Sequence, residues 1–174
     1  MDMLIQLVQK AKNGDADAFT QLMQMHIQSM YKVAKSILWS DEDAADAIQD
    51  TIFSCWRNLS SLKEAGYFKT WMIRILINKC KDYIRKSQPV FGDEELFGLS
   101  SNDAGIENAE WKETLRQLDE KYRLVLMLYY IEGFKTREIS QMLDVPEATV
   151  RTRLARGRER LSGVYQKNGE RSAL

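Results

Sequence analysis

The sequence predicts an all-α fold: two small helical domains joined by an acidic, flexible linker, the second ending in a helix–turn–helix. Three observations lead there. Apolar residues recur at three- and four-residue spacing along most of the chain, with only two prolines in 174 residues and little strand-type alternation. Ser87 to Ile106 breaks that pattern, with four acids, three glycines, one proline and no basic residue. Lys135 to Leu161, KTREISQMLDVPEATVRTRLARGRERL, reads as two short helices with a sharp turn between them.

Taken in order, Met1 to Lys12 carries Leu4, Ile5, Leu7, Val8 and Ala11 at helical spacing. Asn13-Gly14 stops that helix and Asp15 can cap the next. The second helix runs from about Ala16 to Trp39, with Phe19, Leu22, Met23, His26, Met30, Tyr31, Ala34, Ile37 and Leu38 as its buried stripe. His26 is the only histidine, and its place in that stripe makes it a packed residue and not a catalytic one. Ser40 caps a third helix, Asp41 to about Leu59, whose core face is Ala44, Ala45, Ile48, Ile52, Cys55 and Trp56. Its opposite face carries Asp43, Asp46, Gln49, Asp50, Phe53 and Arg57. An aromatic among carboxylates is either an incidental exposed side chain or part of a protein-binding patch.

Asn58 to Gly66 reads as a loop. The fourth helix, Tyr67 to about Lys86, places Met72, Ile73, Leu76, Ile77, Cys80, Tyr83 and Ile84 inward. Trp71, Arg74, Ile75, Asn78, Lys79, Lys81 and Arg85 fall on the other side. Cations interleaved with an aromatic and an amide suit a nucleic-acid surface that can also meet unstacked bases. The plainer alternative is a lysine-rich solvent face. After the linker, helices are expected from about Glu107 to Leu118 and from Asp119 to Glu132. Leu124, Val125, Leu128, Tyr129 and Ile131 of the latter would pack under the helix–turn–helix.

Within the helix–turn–helix, Ile139, Met142 and Leu143 form the apolar side of a helix from Thr136 to Leu143. Asp144-Val145-Pro146 makes the break, since proline cannot donate a backbone hydrogen bond but suits a first helical turn. At about 100° per residue, Val150, Leu154, Gly157 and Leu161 share one face of the last helix. Thr149, Thr152, Arg153, Arg156 and Arg160 point the other way, with Arg151 and Arg158 on the flanks. Five arginines fall between 151 and 160, opposed only by Glu159. Like charges at that spacing weaken an isolated helix, so a polyanionic partner is the natural compensation, and a recognition helix in a major groove is the matching geometry. From Gly163 the tail is polar and reads as frayed.

Composition excludes several classes. The chain is 44% hydrophobic and 29% charged, enough for one domain or two small ones. Net charge is zero, but the average conceals the basic helix. Cys55 and Cys80 give neither a disulfide scaffold nor a zinc spacing, so no metal or cofactor is expected. The start is no signal peptide, and the longest apolar run, Leu124 to Ile131, is too short to span a bilayer. The expectation is a soluble, cytoplasmic protein without membrane insertion. One histidine, no paired acids and no glycine-rich phosphate loop argue against an enzyme.

Four segments in a fixed order resemble one family. GDADAFTQLMQMHIQSMYKVA looks like the first helix of its N-terminal domain, and DAADAIQDTIFSCW like its polymerase-binding segment. YFKTWMIRILINKCKDYIRK is similar to its −10 segment, and LDEKYRLVLMLYYIEGFKTREISQMLDVPEATVRTRLARGRERL to its −35-reading domain. The chain thus resembles the bacterial extracytoplasmic-function sigma factors, over nearly everything from Asp15 to Leu161. The resemblance implies an N-terminal domain over 1–86, a linker over 87–106 and a C-terminal domain over 107–174. It implies that Asp46, Gln49, Asp50 and Phe53 meet the clamp helices of the largest subunit of core RNA polymerase. It implies that the C-terminal domain meets the flap of the second-largest subunit.

On promoter DNA, it implies a flipped −10 base in the loop from Asn58 to Gly66 and the start of the next helix. Trp71, Arg74, Asn78 and Lys79 would lie along the melted strand. Arg151, Thr152 and Arg156 would reach −35 base edges, while Arg153 and Arg158 grip phosphates. The linker would run through the polymerase interior. A monomer held by an anti-sigma factor is also implied. The chain departs from the family at Ala148, where glycine is frequent, at Gly157, where alanine is usual, and before Tyr67, where an Arg-Gly pair is missing. The competing reading is a stand-alone helix–turn–helix transcriptional regulator. It would need a ligand, receiver or dimerisation domain that the sequence does not suggest.

Overall fold

A computed structural model describes residues 2–87 and 109–172, all helix and connecting turns with no strand among them. The expected linker, Ser87 to Ile106, lies outside the described residues apart from Ser87, which closes a helix. The chain divides into two units, Met1–Ser100 and Ser101–Leu174.

The first unit holds α1 (Met3–Lys12), α2 (Ala16–Ile37), α3 (Asp41–Asn58) and α4 (Phe68–Ser87). Its turns are set by local chemistry. Gly14 takes φ +93°, which a side chain would resist, and the Asp15 carboxylate accepts from the Ala18 amide at 3.0 Å to start α2. Ser40 does the same for α3, accepting from the Asp43 amide at 3.2 Å. Lys35 ties that corner, its ammonium donating to the Trp39 carbonyl at 2.7 Å and to Asp41 at 2.6 Å.

α2, α3 and α4 pack on one another, and α1 lies on α2. Leu22, Met30, Val33, Ala34, Phe68, Met72, Ile73, Leu76, Ile77 and Cys80 are completely or almost completely buried between them. His26 is indeed packed: Nδ1–H donates to the Leu22 carbonyl at 2.7 Å and the ring meets Phe68 edge-on at 5.5 Å. Burial also pushes the Cys55 thiol up to about 12, so it behaves as a small apolar side chain. The segment from 58 to 67 is more ordered than a loop. It forms two short 3₁₀ turns, Leu59–Ser61 and Ala65–Tyr67, and Lys12 of α1 donates to the Leu62 carbonyl at 2.7 Å.

The core face of α3 differs from the expected one. Ala47 and Thr51 are buried in place of Ala45 and Trp56. The helix is turned so that Ala44, Ala47, Ile48, Thr51 and Cys55 face inward, and the Thr51 hydroxyl is satisfied by the Ala47 carbonyl at 2.7 Å. Trp56 rests at the rim, 40% exposed, its ring 4.9 Å from that of Phe19. In α4, Tyr83 and Ile84 are only half-buried.

The second unit holds α5 (Ala109–Arg116), α6 (Glu120–Leu126), α7 (Thr136–Leu143) and α8 (Glu147–Ser172). α6 continues into one wide π turn, Met127–Ile131, in which the Glu132 amide donates to the Met127 carbonyl at 3.0 Å. The extra residue in that turn shifts the register. Leu128 stays buried, while Tyr129 and Ile131, expected in the core, are 38% and 39% exposed. Beneath α8 the core is instead Tyr122, Leu124, Val125, Leu126 and Leu128. The tail is not frayed from Gly163, because α8 continues to Ser172.

Gly157 is buried where α8 crosses α6, and a Cβ there would sit 3.1 Å from Leu126 Cδ1. Glycine costs about 1 kcal/mol of helix propensity against alanine; here it permits the close approach. Gly157→Val should therefore destabilise the second unit by about 1–3 kcal/mol through overpacking. Gly157→Ala, which gains propensity while crowding Leu126, should stay within about 1 kcal/mol of the parent. Hydrogen exchange at α6 and α8 amides measures both, and a Val variant as protected as the parent would contradict this packing.

Candidate nucleic-acid interface

The turn between α7 and α8 is built by three local devices. Asp144 ends α7 in the left-handed region at φ +53°, ψ +48°. The Ser140 hydroxyl donates to the Val145 carbonyl at 2.6 Å. The Pro146 carbonyl accepts from the Val150 amide at 3.2 Å and so opens α8. Glu147 then locks the two helices, since Oε1 accepts from the Thr136 hydroxyl of α7 at 2.7 Å and from Arg151 at 2.8 Å.

With Val150, Leu154 and Gly157 buried, the cations of α8 divide between two flanks. On the α7 side, Arg151 is paired with Glu147, and Arg158 donates to the Tyr130 hydroxyl at 2.9 Å. On the α6 side, Arg160 lies 4.7 Å over the Tyr122 ring and 3.1 Å from Asp119. Thr149, Thr152, Arg153 and Arg156 join Ala148, Lys121 and Tyr122 around an open cleft of about 280 Å³. Burial works to raise the Tyr122 phenol pKa, but a hydrogen bond from Arg156 and the charges of Lys121 and Arg160 outweigh it, and the net shift is downward.

The cleft thus joins a cation of α6 to the cationic row of α8. Lys121 escaped the sequence reading because Asp119 and Glu120 directly precede it and offset its charge, and nothing local signals its approach to α8. The Thr152 hydroxyl donates to the Ala148 carbonyl at 2.9 Å, so its acceptor sites and methyl group remain for a ligand.

In the first unit, Trp71, Arg74 and Asn78 follow one another along the outward side of α4, and Lys79 sits on its flank. Arg74 and Asn78 are exposed, whereas Trp71 and Lys79 are half-buried. The Trp71 ring is 6.0 Å from that of Phe68, which is fully buried and fixes the base of the helix.

The corrected rotation of α3 sharpens its acidic face. Phe53 now lies opposite the buried stripe, 63% exposed, with Asp46, Gln49 and Asp50 around it, all exposed. The Arg57 guanidinium stands 5.6 Å over the Phe53 ring. Tyr83 of α4 donates to Asp50 Oδ2 at 3.0 Å. Partial burial first, then this hydrogen bond and the charges of Asp50, Asp46 and Asp43, push the Tyr83 phenol up to about 12.

Among the described residues, no group of three His, Cys, Asp or Glu could hold a metal, and no helix is long and apolar enough to cross a membrane. An apolar stripe behind a cationic face is repeated on α4 and α8.

Comparison with known proteins accounts for both units. The model of sigma-70 region 2 matches residues 22–90, and that of sigma-70 region 4 matches residues 109–161. The extracytoplasmic-function (ECF) RNA polymerase sigma factor SigW of Bacillus subtilis is 32% identical over 181 aligned positions, covering 92% of this chain and 96% of that one. This chain belongs to the ECF sigma factors. SigM of Mycobacterium tuberculosis, another ECF sigma factor, is 31% identical over 152 positions, 86% of this chain and 78% of that one. The solved structure of CnrH in complex with the cytosolic domain of CnrY superposes with a TM-score of 0.73 at 26% identity, over 95% of this chain and 99% of that one. In this sigma factor α2 to α4 thus belong to region 2, and α5 to α8 to region 4.

Glu147 provides a pH test of the region 4 turn. The Thr136 hydrogen bond, opposed by burial and reinforced by Arg151 and Arg137, holds its carboxyl below the usual range. A folded pKa below the unfolded value, about 4.3, gives stability that is present above that value and lost as pH falls through the folded one. Glu147→Gln should therefore lower stability at neutral pH and flatten its decline below about pH 4. Denaturant titrations at a series of pH values check this; parallel profiles for the two proteins would contradict it.

Proposed function

We propose that the chain is a promoter-specificity subunit of bacterial RNA polymerase that has no chemistry of its own. It directs the core enzyme to particular promoters by −35 recognition and starts transcription by capturing the −10 element as it melts. The observation that carries this reading is the pair of opposite charges on the outward faces of α3 and α4. Asp46, Gln49, Asp50 and Phe53 form a protein-binding patch, while Trp71, Arg74, Asn78 and Lys79 form a nucleic-acid track. A stand-alone regulator has use for the second face only.

In this reading the α3 patch meets the clamp helices of the largest polymerase subunit, and the second unit meets the flap of the second-largest. Arg156, with Thr152 and Arg151, reads −35 base edges. Arg153 and Arg158 hold phosphates, and Lys121 extends that hold from α6. Residues 1–86 and 107–174 act as two reading heads, and 87–106 as the acidic strap between them. The factor works in the cytoplasm as a monomer. An anti-sigma protein covers both heads until it is released, a regulation supported by the recovery of CnrH in complex with the cytosolic domain of CnrY.

Two experiments divide the roles. Arg156→Ala should cost about 1–3 kcal/mol at the native promoter and relax preference at one −35 base pair, the scale of a lost bidentate contact. Arg153→Ala should weaken all sequences alike and reduce the salt slope by about 1. A −35 library transcribed at two salt concentrations distinguishes them, and exchanged outcomes would mean that α8 sits differently in the groove. For the −10 track, Arg74→Ala with Asn78→Ala should impair opening of duplex promoter more than transcription from a template already mismatched at −10. Equal losses on both would make these residues phosphate clamps with no part in melting.

A further inference from the structure

The two helices with opposite outward charge share a polar contact at the surface. Tyr83 of α4 is half-buried, and its hydroxyl donates to Oδ2 of the exposed Asp50 of α3 at 3.0 Å. The Tyr83 ring also lies 5.9 Å from the Lys86 ammonium. Packing α4 against α3 needs only the ring. The hydroxyl makes a bond at the surface, where such a bond adds little to stability. Its effect falls on the carboxylate.

An exposed aspartate samples several staggered χ1 wells and a broad χ2. With Oδ2 held by the phenol, one well is selected and Oδ1 keeps a fixed direction. Asp50 lies on the same outward face as Asp46, Gln49 and Phe53. A carboxylate that is already ordered loses less freedom when a partner cation docks on it.

We propose that Tyr83, which belongs to the helix of the DNA track, is a positioning residue for polymerase binding: its hydroxyl fixes the Asp50 carboxylate toward a guanidinium or ammonium group of the core enzyme. This rests on the polymerase reading of the α3 patch. The tyrosine is no ligand of the polymerase and acts only through Asp50. Its hydroxyl has no part in −10 recognition.

The test is a double-mutant cycle on the affinity of the full chain for core polymerase. Tyr83→Phe keeps the ring and should weaken core binding about three- to tenfold, with the thermal midpoint unchanged. In an Asp50→Ala background the same substitution should have no effect. With saturating factor, promoter opening by the Tyr83→Phe holoenzyme should match the parent. Unchanged affinity in Tyr83→Phe overturns the proposal, as does an equal loss in both backgrounds or a drop in thermal midpoint that accounts for the loss. If Asp50→Ala itself leaves core affinity intact, the polymerase reading of α3 fails and the proposal falls with it. If Asp50→Ala weakens binding and Tyr83→Phe does not, the proposal alone fails.

Discussion

Each interface helix has only a narrow stripe to give to its core, and the rest of the structure depends on that constraint. On α3 the stripe is Ala44, Ala47, Ile48, Thr51 and Cys55; on the first turns of α8 it is Val150, Leu154 and Gly157. Small residues within those stripes let the neighbouring helix come close, and Gly157 against Leu126 is the extreme case. Close packing on one side leaves the other sides free to carry charge that a core would not tolerate. The polar face of each helix is thus a by-product of how tightly its apolar face packs.

That division also explains which features were legible in the sequence. The caps at Asp15 and Ser40 and the break at Asp144 to Pro146 follow from residue chemistry within a few positions, and the structure keeps them. The cations of α8 and the acids around Phe53 could be read because charge contrasts sharply with apolar residues on a helical wheel. The rotation of α3 could not, since Ala44, Ala45 and Ala47 offer no contrast and Trp56 looked like core. The run from Leu124 to Ile131 is apolar throughout, so no periodicity revealed the π turn that brings Tyr129 and Ile131 to the surface. Lys121 and Tyr122 join the α8 site, and Tyr83 joins Asp50, through packing between helices that no local pattern encodes.

On α8 the free face carries a charge density that the fold must offset. Five arginines in ten residues would repel one another in isolation. Acids and aromatics relieve this: Glu147 takes Arg151, Asp119 and the Tyr122 ring take Arg160, and Tyr130 takes Arg158. Side chains held this way are partly ordered in advance, so less freedom would be lost on binding DNA. Arg153 and Arg156 border the cleft with Lys121, and a polyanion there would complete the compensation. Region 2 uses the same logic with both signs, acids on α3 and cations on α4, in a unit that has two partners to tell apart.

This ECF sigma factor is proposed to turn core polymerase into a promoter-specific enzyme through two separate surfaces of region 2. Run-off transcription from a promoter library, with purified core polymerase and the purified chain, is the test. Transcripts should come from a defined promoter subset only when the chain is present, and should be lost when Asp50 and Phe53 are both replaced by alanine in a variant that stays folded. A chain that binds the same promoters without core polymerase, and yields no new transcript with it, would contradict the claim.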